Sequence, residues 1–322
     1  ASQDRKVGRV GVLSFTGMDA LPASFGPSVV TIGKFNGVHL GHLEMIRLTR
    51  ELATERDATS AVITFDRHPA VLFNPEHAPE DITGLARRIE LIEATGVDAL
   101  VLLEFNAELA ALSAREFVQR ILVNGLRAQA VVVGQDFRFG HGAEGTIDVL
   151  RQLGEEFGFD VVVMDDVCPE DGERVSSSLV RNLLESGDVA RAARLLGRSH
   201  AMRGEIVHGD ARGREIGFPT ANLSHEATGY LPGDGVYAGW LVDDDGTRLP
   251  VAISVGTNPT FPGERHRRVE AFVLDATLDL YGHLVIIEFV ERIRGMQKFD
   301  GIEPLIAQMN DDVERTRGVL GL

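Results

Sequence analysis

The chain has 322 residues, with 32 Lys and Arg against 48 Asp and Glu, a formal net charge of −16 at pH 7. That balance argues against a protein that grips nucleic-acid backbone, which needs clustered positive charge, and against docking on an anionic membrane surface. With 44% hydrophobic and 25% charged residues the composition is that of a globular protein, and the length suits one large domain or two ordinary ones.

In chain order, short β-branched runs at residues 29–33, 61–65, 99–103, 130–134 and 160–164 alternate with stretches of helical spacing at 43–54, 85–95, 114–123 and 146–157. Strand, helix, strand units of this length with few polar alternations predict a parallel sheet covered by helices, a doubly wound α/β domain. The texture changes near residues 186–200. Beyond it, short segments at 235–242, 251–255, 269–274 and 284–290 are separated by Gly, Pro and Asp turns, which predicts a small antiparallel barrel. Residues 302–319 have helical periodicity and close the chain.

No apolar run approaches the roughly 18 residues a membrane span needs, and the opening residues lack a secretory signal pattern. Cys168 is the one cysteine and excludes an internal disulfide. A cytoplasmic protein with an inert thiol is the expectation. Oligomeric state leaves no signal in the sequence.

The strongest local motif is Gly33-Lys34-Phe35-Asn36-Gly37-Val38-His39-Leu40-Gly41-His42, directly after the first predicted strand and opening the first helix. Two imidazoles three residues apart at a helix start, among glycines, make a place for polyphosphate. It is neither a Walker loop, lacking Gly-Lys-Ser/Thr, nor a G-x-G-x-x-G fingerprint. Residues 64–69, with Asp66 and His68, end the second strand, and residues 134–140, with Asp136, end the fourth. Both fall at the carboxyl edge where open α/β sheets bind ligands, although each alone also reads as an ordinary loop. A fourth segment, residues 174–181, sets Ser177 and Ser178 at a helix start with Arg181 one turn inside. It reads equally as phosphate binding or as an N-cap with a surface arginine.

In the second half Thr220 and Asn222 offer hard oxygen ligands two residues apart, suited to a magnesium ion carrying nucleotide phosphates, or else a turn with local hydrogen bonds. Gly209, Gly213 and Gly217 with Arg212 and Arg214 form a flexible, locally positive cover for phosphates. Glu270 interrupts an apolar strand, as a general base or as a plain outward-facing residue.

These motifs resemble those of the bacterial bifunctional riboflavin kinase and FAD synthetase family over about residues 29–317. Residues 33–42 match its G-x-F-D-G-V-H-x-G-H signature, residues 176–181 its S-S-x-x-V-R-type signature, and residues 217–222, 235–239, 254–260 and 269–272 its kinase motifs. The resemblance implies a Rossmann-like nucleotidyltransferase domain (residues 1–186) that adenylylates FMN, then a β-barrel domain with a C-terminal helix (residues 187–322) that phosphorylates riboflavin. ATP is the implied co-substrate of both and Mg2+ the cofactor. It further implies His39, His42 and Arg181 as catalytic groups of the first reaction and Glu270 as base of the second. Gly33, Phe35, Gly41, Ser177 and Ser178 would bind nucleotide in the first domain, and Gly209, Arg212, Gly213, Arg214 and Gly217 in the second. Asp66, His68, Asp136 and Phe218 would contact flavin, and Thr220 and Asn222 the metal.

One position departs from the pattern: Asn36 stands where the family motif usually has Asp. Two readings stand beside the bifunctional one, and Asn36 motivates the first. The first is a riboflavin kinase whose N-terminal domain binds nucleotide or flavin with impaired or no turnover. The second is a single-activity nucleotidyltransferase with an accessory barrel.

Overall fold

The computed structural model describes residues 11–169, 172–208, 217–257, 267–276 and 279–322. Two compact units emerge. One comprises the chain up to Pro79 together with Leu85–Val175, and the other Glu80–Gly84 together with Ser176–Leu322.

The first unit is built on β1 (Leu13–Thr16), β2 (Ser28–Ile32), β3 (Thr59–Phe65), β4 (Ala99–Leu103), β5 (Ala128–Gly134) and β6 (Asp160–Met164). All neighbours pair in parallel, in the order β1-β4-β3-β2-β5-β6. Every residue of β2 is buried, as an apolar run covered on both faces requires. Its helices are α1 (Leu40–Glu55), α2 (Ala70–Phe73), α3 (Leu85–Glu93), α4 (Ala107–Ala111), α5 (Ala114–Phe117) and α6 (Ile147–Phe157). The helix expected at 114–123 forms, but after α5 it widens into a π-type segment, Val118–Gly125.

Strand order reverses at β2: β3 and β4 extend the sheet to one side, β5 and β6 to the other. Such a switch point opens a crevice beyond the carboxyl ends of the two central strands. The loops after β2 and β5 border it.

The second unit begins with α7 (Ser177–Ser186) and α8 (Val189–Leu196). Each has an oxygen N-cap, Ser176 and Asp188, and ends at a left-handed glycine, Gly187 and Gly197. The barrel follows: β7 (His200–Val207), β8 (Thr220–Leu223), β9 (Gly235–Val242), β10 (Arg248–Thr257), β11 (Arg267–Val273) and β12 (Leu284–Arg294), closed in the order β10-β11-β8-β7-β12-β9. In β11, Val269, Ala271 and Val273 are buried, and the alternate positions are half-buried. The terminal helix α9 (Ile302–Leu320) packs on β9, β10 and β12. It is tied there by a buried two-pronged ion pair, Arg294 to Asp312 at 2.8 and 2.6 Å.

Candidate functional site

The loop from β2 to α1 is held from below by its own side chains. Phe35 and Val38 are fully buried in a cluster with Ile46, Val62, Ile92, Val97 and Leu100. Both take left-handed backbone, φ 48° and 42°, a conformation costing roughly 1–2 kcal/mol for a residue with a Cβ. Burying each side chain contributes about 1.5–3 kcal/mol, so packing outweighs the strain and fixes the loop.

His39 is the N-cap of α1, and the cap is reciprocal. Its Nδ1 accepts the His42 N–H at 3.4 Å, while the His42 Nδ1 accepts the His39 N–H at 3.3 Å. The rings stack at 3.6 Å between centroids. With both Nδ1 atoms used as acceptors, the neutral imidazoles carry their protons on Nε2 and present two N–H donors. Gly41 permits this arrangement, because a Cβ there would stand 3.2 Å from the His39 ring. Gly33 opens the loop in the same way, where a Cβ would meet the Phe35 ring at 3.1 Å. Asn36, within the loop, is buried, 3% exposed.

At the end of β3, Asp66 accepts the Phe105 N–H at 2.8 Å and pairs with Arg67 at 2.7 Å. Burial pushes its carboxyl up, but the hydrogen bonds from Arg67 and Phe105 outweigh it and leave the pKa below the ordinary aspartate value. His68 Nδ1 accepts the Ala70 N–H at 3.1 Å, and Lys34 Nζ lies 3.1 Å from the other ring nitrogen, Nε2. The structure thus brings Lys34 and His68 together beside the histidine loop. Asp136, after β5, is exposed and pairs with Arg174 at 2.9 Å.

Ser177, Ser178 and Arg181 sit on the first two turns of α7, which belongs to the second compact unit. Arg181 is half-buried and donates from Nε to the Glu80 carbonyl at 2.8 Å; burial lowers its pKa, opposed by Asp81.

In the barrel, register assembles the site. Glu270 on β11 stands directly opposite Asn222 on β8 and opposite Ser254 on β10, all on the half-buried alternate face. Cross-strand partners of this kind have Cβ atoms about 4.5–5.5 Å apart. Thr220 lies on the same face two residues from Asn222, whose amide nitrogen donates to the Thr220 carbonyl at 3.3 Å and leaves the side-chain oxygen for a ligand. Phe218 is buried against Phe272, ring centroids 5.1 Å apart, and Gly217 turns the chain into β8 with φ 89°. Gly209, Arg212, Gly213 and Arg214 lie outside the described residues, as do Asn258, Pro259 and Thr260.

Two features escaped the sequence reading. Arg88 is a buried arginine on α3, and its signal was a charge on the helix face that also buries Ile92. Phe73 is 67% exposed and meets Phe105 edge-on at 6.4 Å, an aromatic pair next to Asp66.

An α/β unit presenting imidazole donors at its switch point, followed by a barrel with a carboxylate set among hydroxyl and amide oxygens, defines a two-part phosphate-handling transferase. Residues 22–179 match the FAD synthetase family and residues 196–320 the riboflavin kinase family. The chain is 37% identical over 294 residues, 91% of its length and 93% of the relative's, to a bifunctional riboflavin kinase/FMN adenylyltransferase of Escherichia coli strain K12. It is 40% identical over 291 residues, 90% and 92% of the two lengths, to one of Pseudomonas fluorescens. It belongs to the bifunctional riboflavin kinase/FMN adenylyltransferase family. A solved structure described as a macrolide-efflux protein from Streptococcus pneumoniae also matches, with TM-score 0.85, 33% identity, and coverage of 95% of this chain and 99% of that one. Among the described residues no helix is long and apolar enough to cross a membrane.

Proposed function

We propose that this chain phosphorylates riboflavin to FMN with ATP and then adenylylates FMN to FAD, releasing pyrophosphate. The observation that carries the reading is that each family match falls on a different fold and each brings its own set of phosphate chemistry: imidazole donors within residues 22–179, and carboxylate with hard oxygens within residues 196–320.

For adenylyl transfer, an FMN phosphate oxygen attacks the α-phosphorus of ATP, and the bond to the bridging oxygen of pyrophosphate breaks. His39 and His42 donate from Nε2 to the phosphate oxygens as charge develops, so no protein nucleophile is needed. Lys34 and His68 suit the phosphate of FMN, with the exposed Phe73 and Phe105 offering an apolar face to the flavin ring. Gly33, Phe35 and Gly41 shape the nucleotide loop; Asp66 and Asp136 are assigned to flavin. The family motif assigns Ser177, Ser178 and Arg181 to the nucleotide.

For phosphorylation, Glu270 takes the proton of the terminal ribityl hydroxyl as its oxygen attacks the γ-phosphorus and ADP leaves. Thr220 and Asn222 fit Mg2+, since both offer oxygen donors on one strand face. When bound, that ion neutralises phosphate charge. Gly209, Arg212, Gly213, Arg214 and Gly217 are assigned to the ATP phosphates and Phe218 to the flavin. Cys168, exposed and the chain's one thiol, fits a reducing compartment, and a cytoplasmic location is part of the proposal.

The test is incubation with riboflavin, ATP and magnesium, followed by separation of the flavins. FMN and FAD are both expected. FMN without FAD would favour the kinase with a silent first unit that Asn36 motivates, and no FMN would sink the kinase half. Chelating magnesium is expected to abolish phosphorylation and weaken ATP binding.

A further inference from the structure

The β2–β3 ladder ends at the pair Ile32 and Ile63, with one further backbone bond from the Gly33 N–H to the Ile63 carbonyl at 3.1 Å. A buried cation takes over. Arg88 is 2% exposed; its Nη1 donates to the Lys34 carbonyl at 2.9 Å, and its Nη2 donates to the carbonyls of Phe65 at 2.6 Å and Asp66 at 3.4 Å. The Lys34 carbonyl also accepts from the Thr64 hydroxyl at 3.3 Å. Burying a guanidinium is expensive, and an apolar residue would fill this helix position at lower cost. What an apolar residue lacks is a rigid fork able to span two strand ends. The carbonyls it spans belong to the residues that lead into the histidine loop on one side and into His68 on the other.

We propose that Arg88 is a positioning residue for adenylyl transfer, holding the His39/His42 loop and the Asp66–His68 segment at a fixed separation without touching substrate. The inference rests on the adenylyltransferase reading. It deepens that reading by naming what sets the distance between the donors on the nucleotide and those on the FMN phosphate. A misplacement of about 1 Å between such groups costs roughly 100-fold in rate.

Arg88→Lys and Arg88→Ala are assayed as full chains, once with FMN and ATP and once with riboflavin and ATP. The lysine variant is expected to lose about 10-fold and the alanine variant about 100-fold in kcat for FAD formation. KM for ATP is expected to move far less, and phosphorylation of riboflavin to stay at the wild-type rate. Millimolar guanidinium chloride should restore part of the rate to Arg88→Ala and none to the wild type. Wild-type chain that forms no FAD would remove the underlying reading. With wild-type FAD formation intact, unchanged kcat in Arg88→Ala would overturn the positioning role. A loss in both variants that tracks proteolytic opening of the first unit and ignores guanidinium would overturn it as well, leaving Arg88 a structural brace.

Discussion

The parallel-sheet unit carries its polar groups on loops beyond the strand ends, whereas the barrel carries them on the strands themselves. In the first, His39, His42, Lys34 and His68 depend on buried anchors, Phe35, Val38 and Arg88, for their placement. In the second, Glu270, Asn222 and Ser254 are set side by side by hydrogen-bond register alone. A loop site tolerates changes in spacing but drifts when its anchors are lost. A register site keeps its geometry for as long as the sheet exists.

Glu270→Gln makes the sharpest cut between the two. FMN formation should fall by about 100- to 10,000-fold, the usual worth of a general base, while FAD formation from supplied FMN is unchanged; an equal loss of both would merge the two sites into one. Next comes His39→Asn, which keeps an N-cap acceptor and removes the Nε2 donor. FAD formation should drop about 100-fold with phosphorylation intact, measured by the same flavin separation.

A third experiment uses stability. His200 is buried, its Nε2 2.7 Å from the Tyr230 carbonyl, and burial holds its pKa down at about 4 against an ordinary 6.5. The unfolded chain therefore binds the proton first. The barrel's stability is full above pH 6.5 and declines as pH falls toward 4, by up to about 3 kcal/mol. Melting followed by the Trp240 signal should show this slope, and His200→Asn should flatten it. A slope that persists in the variant would place the titration elsewhere. The smallest effect is expected for Gly41→Ala. Its Cβ would press on the His39 ring at 3.2 Å, shift that donor by a few tenths of an ångström, and slow FAD formation by less than about tenfold. Full wild-type activity would mean that the ring gives way without consequence.

Much of this layout is legible in the sequence alone. Uninterrupted apolar runs expose β2 through β6, since strands buried on both faces leave little room for polar residues. The edge strand β1, three of its four residues exposed, has no such run. In the barrel β7 was missed because Arg203, Gly204 and Glu205 break its pattern. The four residues of β8, Thr-Ala-Asn-Leu after Pro219, read as a turn until β11 pairs with them. The histidine motif was visible, but its chemistry was not: which ring nitrogen faces outward follows from two backbone hydrogen bonds that no spacing encodes. Arg88 was invisible for a related reason, being defined by what lies above its helix.

The alternation in β11 separates two vocabularies by parity. Residues 269, 271 and 273 speak to the barrel interior, and 268, 270 and 272 to the half-buried outer face. A point change in one set leaves the other readable. Loss or gain of a single residue in this strand is a frameshift in three dimensions. It would drive Glu270 into the hydrocarbon interior and turn valine toward the oxygens of Asn222, so the barrel tolerates many substitutions along β11 but no slip.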